Sequence, residues 1–314
     1  MESPGQAAAD SSSQAVTWSR GDRVLVVVNP ATRGNIDQIE DALARALPAG
    51  VLLDLRLTTR AGEGRPLALE AGRGARMLVA VGGDGTVSEV ATAAVEHAVP
   101  LGIIPAGSTN IIARELGLPR RVDAAVSCLF GEHRLRRLDT GTCNDRIFLH
   151  MAGAGFDSRL FGLTNPRWKH RAGWPAYLPA AARALRLPAA EVRLAIDGET
   201  LGLKSPLVLI ANGMSVIHPR FRVHQAFRPD DGWIDVMVVT ATSPRAIAST
   251  LGRLALTQLH RSPHVLHRRA RDVRLESDPV LPVQLDGDVV SETPATFSVR
   301  PGAIQMVVPP PPTR

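Results

Sequence analysis

Over the first part of the chain, short runs of apolar residues alternate with longer stretches in which apolar positions recur every three or four residues. The runs Val24 to Val28, Val51 to Leu57, Met77 to Val81 and Leu101 to Ile104 are apolar nearly throughout, the pattern of strands covered on both faces. Helices fit the gaps, so residues 22–137 read as stacked β-α units around a parallel sheet. Asn35 with Gln38, and Thr86 with Glu89, have the spacing of capping boxes, a polar cap answered by Glu or Gln three residues on.

Beyond about Asp139 the period shortens to two. Glu191 to Ile196, Leu207 to Ala211, Ile234 to Val239, Val273 to Leu275 and Val283 to Leu285 predict a mainly β domain over 138–300. Helical stretches around Tyr177 to Leu187 and Pro244 to His260 interrupt it. The predicted class is therefore α/β: an N-terminal Rossmann-like parallel-sheet domain followed by a second, mainly β, sandwich-like domain. Residues 1–21, rich in Ala, Ser and Gln, read as a flexible tail, and 301–314 as a return segment with a Pro-rich end, Pro309 to Pro312.

Composition narrows the functional classes. The chain has 314 residues, more than one average domain, and its 45% hydrophobic and 21% charged residues argue against wholesale disorder. Lys and Arg number 36 against 30 Asp and Glu, a net charge of +6 that would attract nucleotides, nucleic acids or acidic lipid surfaces. With aromatics at only 4% and no recognised binding motif, a nucleic-acid partner is disfavoured. Cys128 and Cys143 are the only cysteines, which supports neither a disulfide framework nor a Cys-based metal site. No run reaches the length of a membrane span and no signal pattern opens the chain, which predicts a cytoplasmic protein.

The candidate chemistry lies in loops. Met77 to Ala94 runs strand, Gly82-Gly83-Asp84-Gly85-Thr86, helix, placing backbone N–H groups and a helix N-terminus where a phosphate could be cradled. Taken alone, the same glycines make a tight turn with no ligand. The first strand ends in Asn29-Pro30 and the fourth in Pro105-Ala106-Gly107-Ser108-Thr109-Asn110, so three polar loops emerge at carboxyl ends of parallel strands, where open α/β sheets bind ligands. Neither a P-loop nor the signature elements of protein kinases is present. Asp286-Gly287 alone reads as a hairpin turn, and Asp230-Asp231-Gly232 as turn chemistry. His260, His264 and His267 imitate a metal cluster by spacing but read as surface residues without acidic partners.

Seven ordered segments, VVVNP (26–30), GGDGTVSEV (82–90), GIIPAGSTN (102–110), LDTG (138–141), GAGFD (153–157), DDGWIDV (230–236) and LDGD (285–288), resemble a bacterial diacylglycerol kinase-like lipid kinase. That family includes sphingosine and ceramide kinases, and the likeness spans nearly the whole chain between its tails. It implies a nucleotide cleft between the two domains and transfer of the ATP γ-phosphoryl group to a lipid hydroxyl, diacylglycerol being the default acceptor. NAD kinase shares the glycine loop and the two-domain plan, and a non-catalytic lipid- or nucleotide-binding descendant is the third reading.

Carried over residue by residue, the resemblance implies nucleotide contacts at Asn29, Thr59, Gly83, Asp84, Gly85, Thr86, Glu89, Ser108 and Asp288. It implies a general base at Asp286, and a structural Mg²⁺ held by Asp231 with the backbone carbonyls of Arg228 and Trp233. Asp84 and Asp139, with Asn110, are implied in the network around a catalytic Mg²⁺ and its waters. The third loop departs from the family by carrying Ile111 where Asp is usual, which removes one carboxylate from that network.

From Arg159 to Arg186 there is no acidic residue, and Arg167, Lys169 and Arg171 lie beside Trp168 and Trp174. Basic residues with interfacial aromatics suit an anionic membrane surface, although a solvated helix-loop with packed aromatics has the same composition. A lipid substrate implies peripheral association with the inner face of the membrane. A homodimer is left open.

Overall fold

The structure is a computed structural model that describes residues 15–31, 36–155, 189–213, 215–216, 218–222, 227–255, 258 and 261–311. Strands β1 (Arg23–Val28), β2 (Leu52–Leu57), β3 (Met77–Gly82) and β4 (Leu101–Pro105) form a parallel sheet in the order β2-β1-β3-β4. Alternation along β1 explains its unbroken apolar run. Leu25 and Val27 face one cluster, with α2 (Gly64–Ala71) and α3 (Asp84–Glu96), while Val24, Val26 and Val28 face another, with α1 (Ile36–Ala46) and α5 (Val122–Phe130). Between them, α4 (Ile111–Glu115) follows the loop after β4.

β2 departs from the sequence expectation. As the edge strand it leaves Leu52 57% and Leu57 43% exposed, so apolar composition there does not mean cover on both faces. The Thr86–Glu89 capping box is also not realised. Gly83, in an extended conformation, takes the N-cap position and α3 starts at Asp84, leaving Thr86 inside the first turn. Asn35 lies outside the described residues.

The second sheet contains β7 (Met151–Gly155), β10 (Leu207–Ala211), β13 (Ile234–Val239), β14 (Val265–Ala270), β16 (Pro282–Leu285) and β17 (Asp288–Glu292). All of its pairings are antiparallel, in the order β14-β13-β10-β7-β16-β17. It packs on the antiparallel half of the first sheet, where β8 (Ala190–Ile196), β9 (Glu199–Ser205) and β15 (Asp272–Asp278) continue from β18 (Ala295–Val308). This is the sandwich. β18 is the seam: it pairs with β4 through Met306 and Leu101, and along most of its length with β5 (Arg134–Cys143). A short two-stranded sheet, β11 (Ser215–Val216) and β12 (His218–Arg222), completes the strands.

The helix expected over Pro244 to His260 is α6 (Pro244–Ala255), with Gln258 outside it. The helix expected around Tyr177 to Leu187 lies outside the described residues, as do Arg167, Trp168, Lys169, Arg171 and Trp174. Among the described residues no helix is long and apolar enough to cross a membrane. Both cysteines are buried and free, and burial pushes the Cys143 thiol up to about 11.

One packing detail marks the sandwich rim. Phe148, on β6 (Arg146–Phe148), is fully buried opposite Gly141, and a Cβ added to Gly141 would lie 2.0 Å from the ring. The missing side chain makes the space that the ring fills. Phe148→Ala should therefore lower the unfolding free energy by about 3–5 kcal/mol. Denaturant titration checks this, and a loss under about 1 kcal/mol, the scale of a well-tolerated core swap, would contradict it.

Candidate active site

The glycine loop joins β3 to α3, and its neighbours are held to it by backbone contacts. Asn29 N–H donates to the Val81 carbonyl at 3.0 Å, and its Nδ2 lies 3.4 Å from Thr86 Oγ1. The loop after β4 donates from the N–H groups of Ala106 and Gly107 to the Gly82 carbonyl at 2.9 and 3.2 Å. Gly107 meets Gly83 so closely that an added Cβ would sit 2.5 Å from the Gly83 Cα. Asn110 fixes this loop locally: its side chain accepts from Gly107 N–H at 3.0 Å and donates to the Gly107 carbonyl at 2.9 Å.

Asp84 opens α3, and its carboxylate accepts the Ile112 N–H at 3.0 Å. Burial pushes its carboxyl above the ordinary range, opposed by the N–H groups of Ile111 and Ile112. Glu89, one turn further on, accepts the N–H groups of Gly62 and Gly64 at 3.1 and 2.7 Å and so ties α3 to the start of α2. Burial raises Glu89 as well, with the Asp288 charge adding to it. Thr59 is bound to Glu63, N–H and hydroxyl both donating to one carboxylate oxygen. Ser108 and Thr109, with Arg114 and Arg120, line a cavity of ≈ 240 Å³ beside the third loop.

Across from α3 stands the β16–β17 hairpin. Asp286 and Gly287 both have positive φ, 49° and 102°, the geometry of a two-residue type I′ connection, which favours Asp-Gly. The hairpin reading of this dipeptide holds, and the turn presents its carboxylate to the other domain. One oxygen of Asp286 accepts the N–H groups of His150 and Met151, both at 2.9 Å. The other accepts Leu149 N–H at 2.9 Å and the Ser88 hydroxyl at 2.5 Å. Asp288 reaches the glycine loop itself, with Oδ2 3.4 Å from where a Gly85 Cβ would stand.

The glycine loop, Asp286 and Asp288 are thus neighbours although about two hundred residues separate them in the chain. Ser88, Glu115 and His150 belong to the same neighbourhood and were not picked out by sequence. Ser88 sits one helical turn after Asp84 on the same face, a spacing that could have exposed it. His150 is a lone polar residue in an apolar run, a weaker signal. Its side chain is 7% exposed and its Nε2 lies 3.3 Å from Glu115 Oε1. Burial opposes its charged form, but Glu115, with the charges of Asp286 and Asp84, outweighs this and moves the imidazole above its ordinary value.

Two expected site residues take other partners. Asp139 is buried and accepts the N–H groups of Gly232 and Gly302, each at 2.7 Å, so it clamps the 229–232 turn to β18. Asp231 pairs with the Arg269 guanidinium and accepts the Trp233 N–H at 3.2 Å. Arg269 and Arg271 also stand over the Trp233 ring, 5.4 and 4.8 Å from its centre. A cation at Asp231 would have to displace that guanidinium, whose side chain is 45% exposed. The Arg228 side chain turns to Asp230 at 3.4 Å. His267 is not without an acidic partner as the sequence suggested, since its Nε2 lies 2.6 Å from Asp235 Oδ1; His260 lies outside the described residues.

Comparison with known proteins agrees with the two-part fold. Residues 23–143 match the diacylglycerol kinase catalytic domain, and residues 150–308 the YegS C-terminal NAD kinase beta sandwich-like domain. A Pseudomonas aeruginosa protein described as a probable YegS-like lipid kinase is 33% identical over 92% of this chain and 95% of its own length. A Chromohalobacter salexigens protein of the same description is 30% identical over 92% and 94%. A crystal structure from Bacillus anthracis shares the fold with a TM-score of 0.77 at 24% identity, covering 92% of this chain and 98% of that one. A second structure from that organism, described as a diacylglycerol kinase, gives 0.68 at 21%, covering 92% and 97%. The chain belongs to the YegS-like lipid kinase family, built on a diacylglycerol kinase catalytic domain.

Proposed function

We propose that this chain transfers the γ-phosphoryl group of ATP to the free hydroxyl of diacylglycerol, giving phosphatidic acid. The observation that carries the reading is the junction of Ser88 with Asp286, which sets an oriented carboxylate against the helix of the glycine loop. In this reading Asp286 accepts the proton of the lipid hydroxyl, whose oxygen attacks the γ-phosphorus while ADP departs. The backbone N–H groups at the start of α3 and the Asn29, Thr86 and Ser108 side chains receive the phosphates. Thr59 and Glu89 shape the far wall of the nucleotide site.

A divalent cation supplies neutralisation of the phosphate charge. Asp84 and Asp288 are the residues that would hold it or its waters, being carboxylates at the glycine loop whose oxygens suit a hard cation. Chelation with EDTA should therefore abolish phosphotransfer, and excess Mg²⁺ should restore it. Activity measured before chelation, in EDTA and after Mg²⁺ is added back checks this, and full turnover in EDTA would contradict it.

A net charge of +6 suits work at an anionic bilayer surface, such as the inner face of the cell membrane. Incubation of purified protein with ATP, Mg²⁺ and mixed micelles of candidate lipids, followed by mass analysis, tests the acceptor. The expected result is phosphatidic acid from diacylglycerol. Phosphorylation of a sphingoid base in its place would overturn the acceptor, and formation of NADP alone from NAD would overturn the reading.

A further inference from the structure

The mechanism above leaves one buried pair unused. Glu115, at the end of α4, and His150, just before β7, meet at 3.3 Å with side chains 11% and 7% exposed. Nothing about a lone histidine in a β sandwich requires a glutamate partner from the other domain. Burying the two together is costly unless their mutual attraction and hydrogen bonding offset the desolvation, and removing one partner leaves the other buried and uncompensated.

The main chain of residue 150 is a junction. Its N–H donates to Asp286 Oδ1 at 2.9 Å, and its carbonyl accepts from Asn212 and Gly213 at 2.9 and 2.8 Å. Asn212 also donates from its side chain to the carbonyls of Leu149 and Asp139, at 2.8 and 2.9 Å. Gly213 closes over the ring. A Cβ there would lie 2.3 Å from His150 Cδ2 and 3.0 Å from Glu115 Oε2. The same short helix that carries Glu115 holds Asp84 through the Ile112 N–H. One side-chain contact therefore connects the backbone that grips Asp286 to the helix that grips Asp84.

We propose that Glu115 and His150 act as a positioning pair, locking the 149–151 backbone to α4 so that Asp286 keeps its place opposite Asp84 during phosphoryl transfer. Neither residue touches the reacting atoms. The inference rests on the kinase reading for its consequence in turnover, but its geometry can be tested apart from it.

The experiment compares His150→Leu, His150→Gln and wild type. Gln can present an N–H near the position of Nε2 and keep the Glu115 contact; Leu fills similar space without it. The expected result is a kcat reduced about 30-fold or more in His150→Leu with KM for ATP within about twofold, since small misplacements of catalytic groups cost up to about a hundredfold. His150→Gln should recover to within about threefold of wild type, and a Glu115→Leu, His150→Leu double variant should be no worse than the poorer single one. Hydrogen exchange of the 149–151 amides, read by mass spectrometry, should accelerate in His150→Leu and return to the wild-type rate in His150→Gln. Equal kcat and equal exchange in the Leu and Gln variants would overturn the pair. Inactivity of the wild type on every lipid would overturn the kinase reading instead, and the exchange comparison would still decide the pair.

Discussion

Asp286→Asn should lower lipid phosphorylation by about three orders of magnitude, within the range for loss of a positioned general base. The amide cannot accept the hydroxyl proton as a carboxylate does, and it also disturbs its own support. Each oxygen of Asp286 faces two donors. Either orientation of the amide turns an NH₂ toward at least one backbone N–H, at a cost of about 1–3 kcal/mol for the unmatched donor. Lower stability with a cooperative melt is therefore expected, and kcat must be compared where both proteins are folded. Ser88→Ala serves as the control, because it removes one neutral donor and leaves the three backbone donors in place. Turnover in Asp286→Asn within tenfold of wild type would remove Asp286 from the base role.

The second large effect is expected at Gly107. A Cβ on this residue would stand 2.5 Å from the Gly83 Cα, 2.8 Å from Asn110 Oδ1 and 3.1 Å from the Gly83 nitrogen. These are mostly backbone atoms of the nucleotide loop, which cannot swing aside as a flexible side chain would. Gly107→Ala must therefore push the third loop off the glycine loop by a large fraction of an ångström. Because a displacement near 1 Å can cost about a hundredfold, kcat/KM for ATP should fall by about that factor. The sheet beneath, with β3 and β4 fully buried, should keep the protein folded. Unchanged ATP affinity and turnover in Gly107→Ala would show that the contact between the loops is incidental.

The division into a parallel α/β part and an antiparallel β part was legible from the loss of long helices after Asp139 and from alternating strands such as β8, although β7, β10 and β13 prove to be buried nearly throughout. The edge place of β2 shows in the charged residues Asp54 and Arg56 set among its leucines, and there Leu52 and Leu57 are exposed. Pattern alone could not place β18, whose fourteen residues run through both halves, since its partners β4, β5 and β15 come from three distant parts of the chain.

The candidate site divides similarly. Asn29, the glycine loop and the third loop were readable as carboxyl-end loops of a parallel sheet, and they are neighbours. Asp286 and Asp288 were readable only through the resemblance, because an Asp-Gly hairpin looks the same with or without a helix docked against it. Ser88, Glu115 and His150 depend on contacts across the interface, which no local period encodes. Asp231 was legible through the resemblance, but its Arg269 partner, 38 residues away, was not. Thr86 and Glu89 had capping-box spacing, yet the extended Gly83 moved the helix start to Asp84 and freed Glu89 to hold α2.

The central claim is that ATP, bound at the glycine loop, gives its terminal phosphoryl group to a lipid. It is tested most directly by supplying γ-labelled ATP and Mg²⁺ to the purified protein with diacylglycerol micelles and NAD in the same tube. Label recovered in the lipid extract, and absent from the Asp286→Asn reaction, is the predicted result. Label recovered only in NADP, or bound nucleotide with no labelled product, would contradict it.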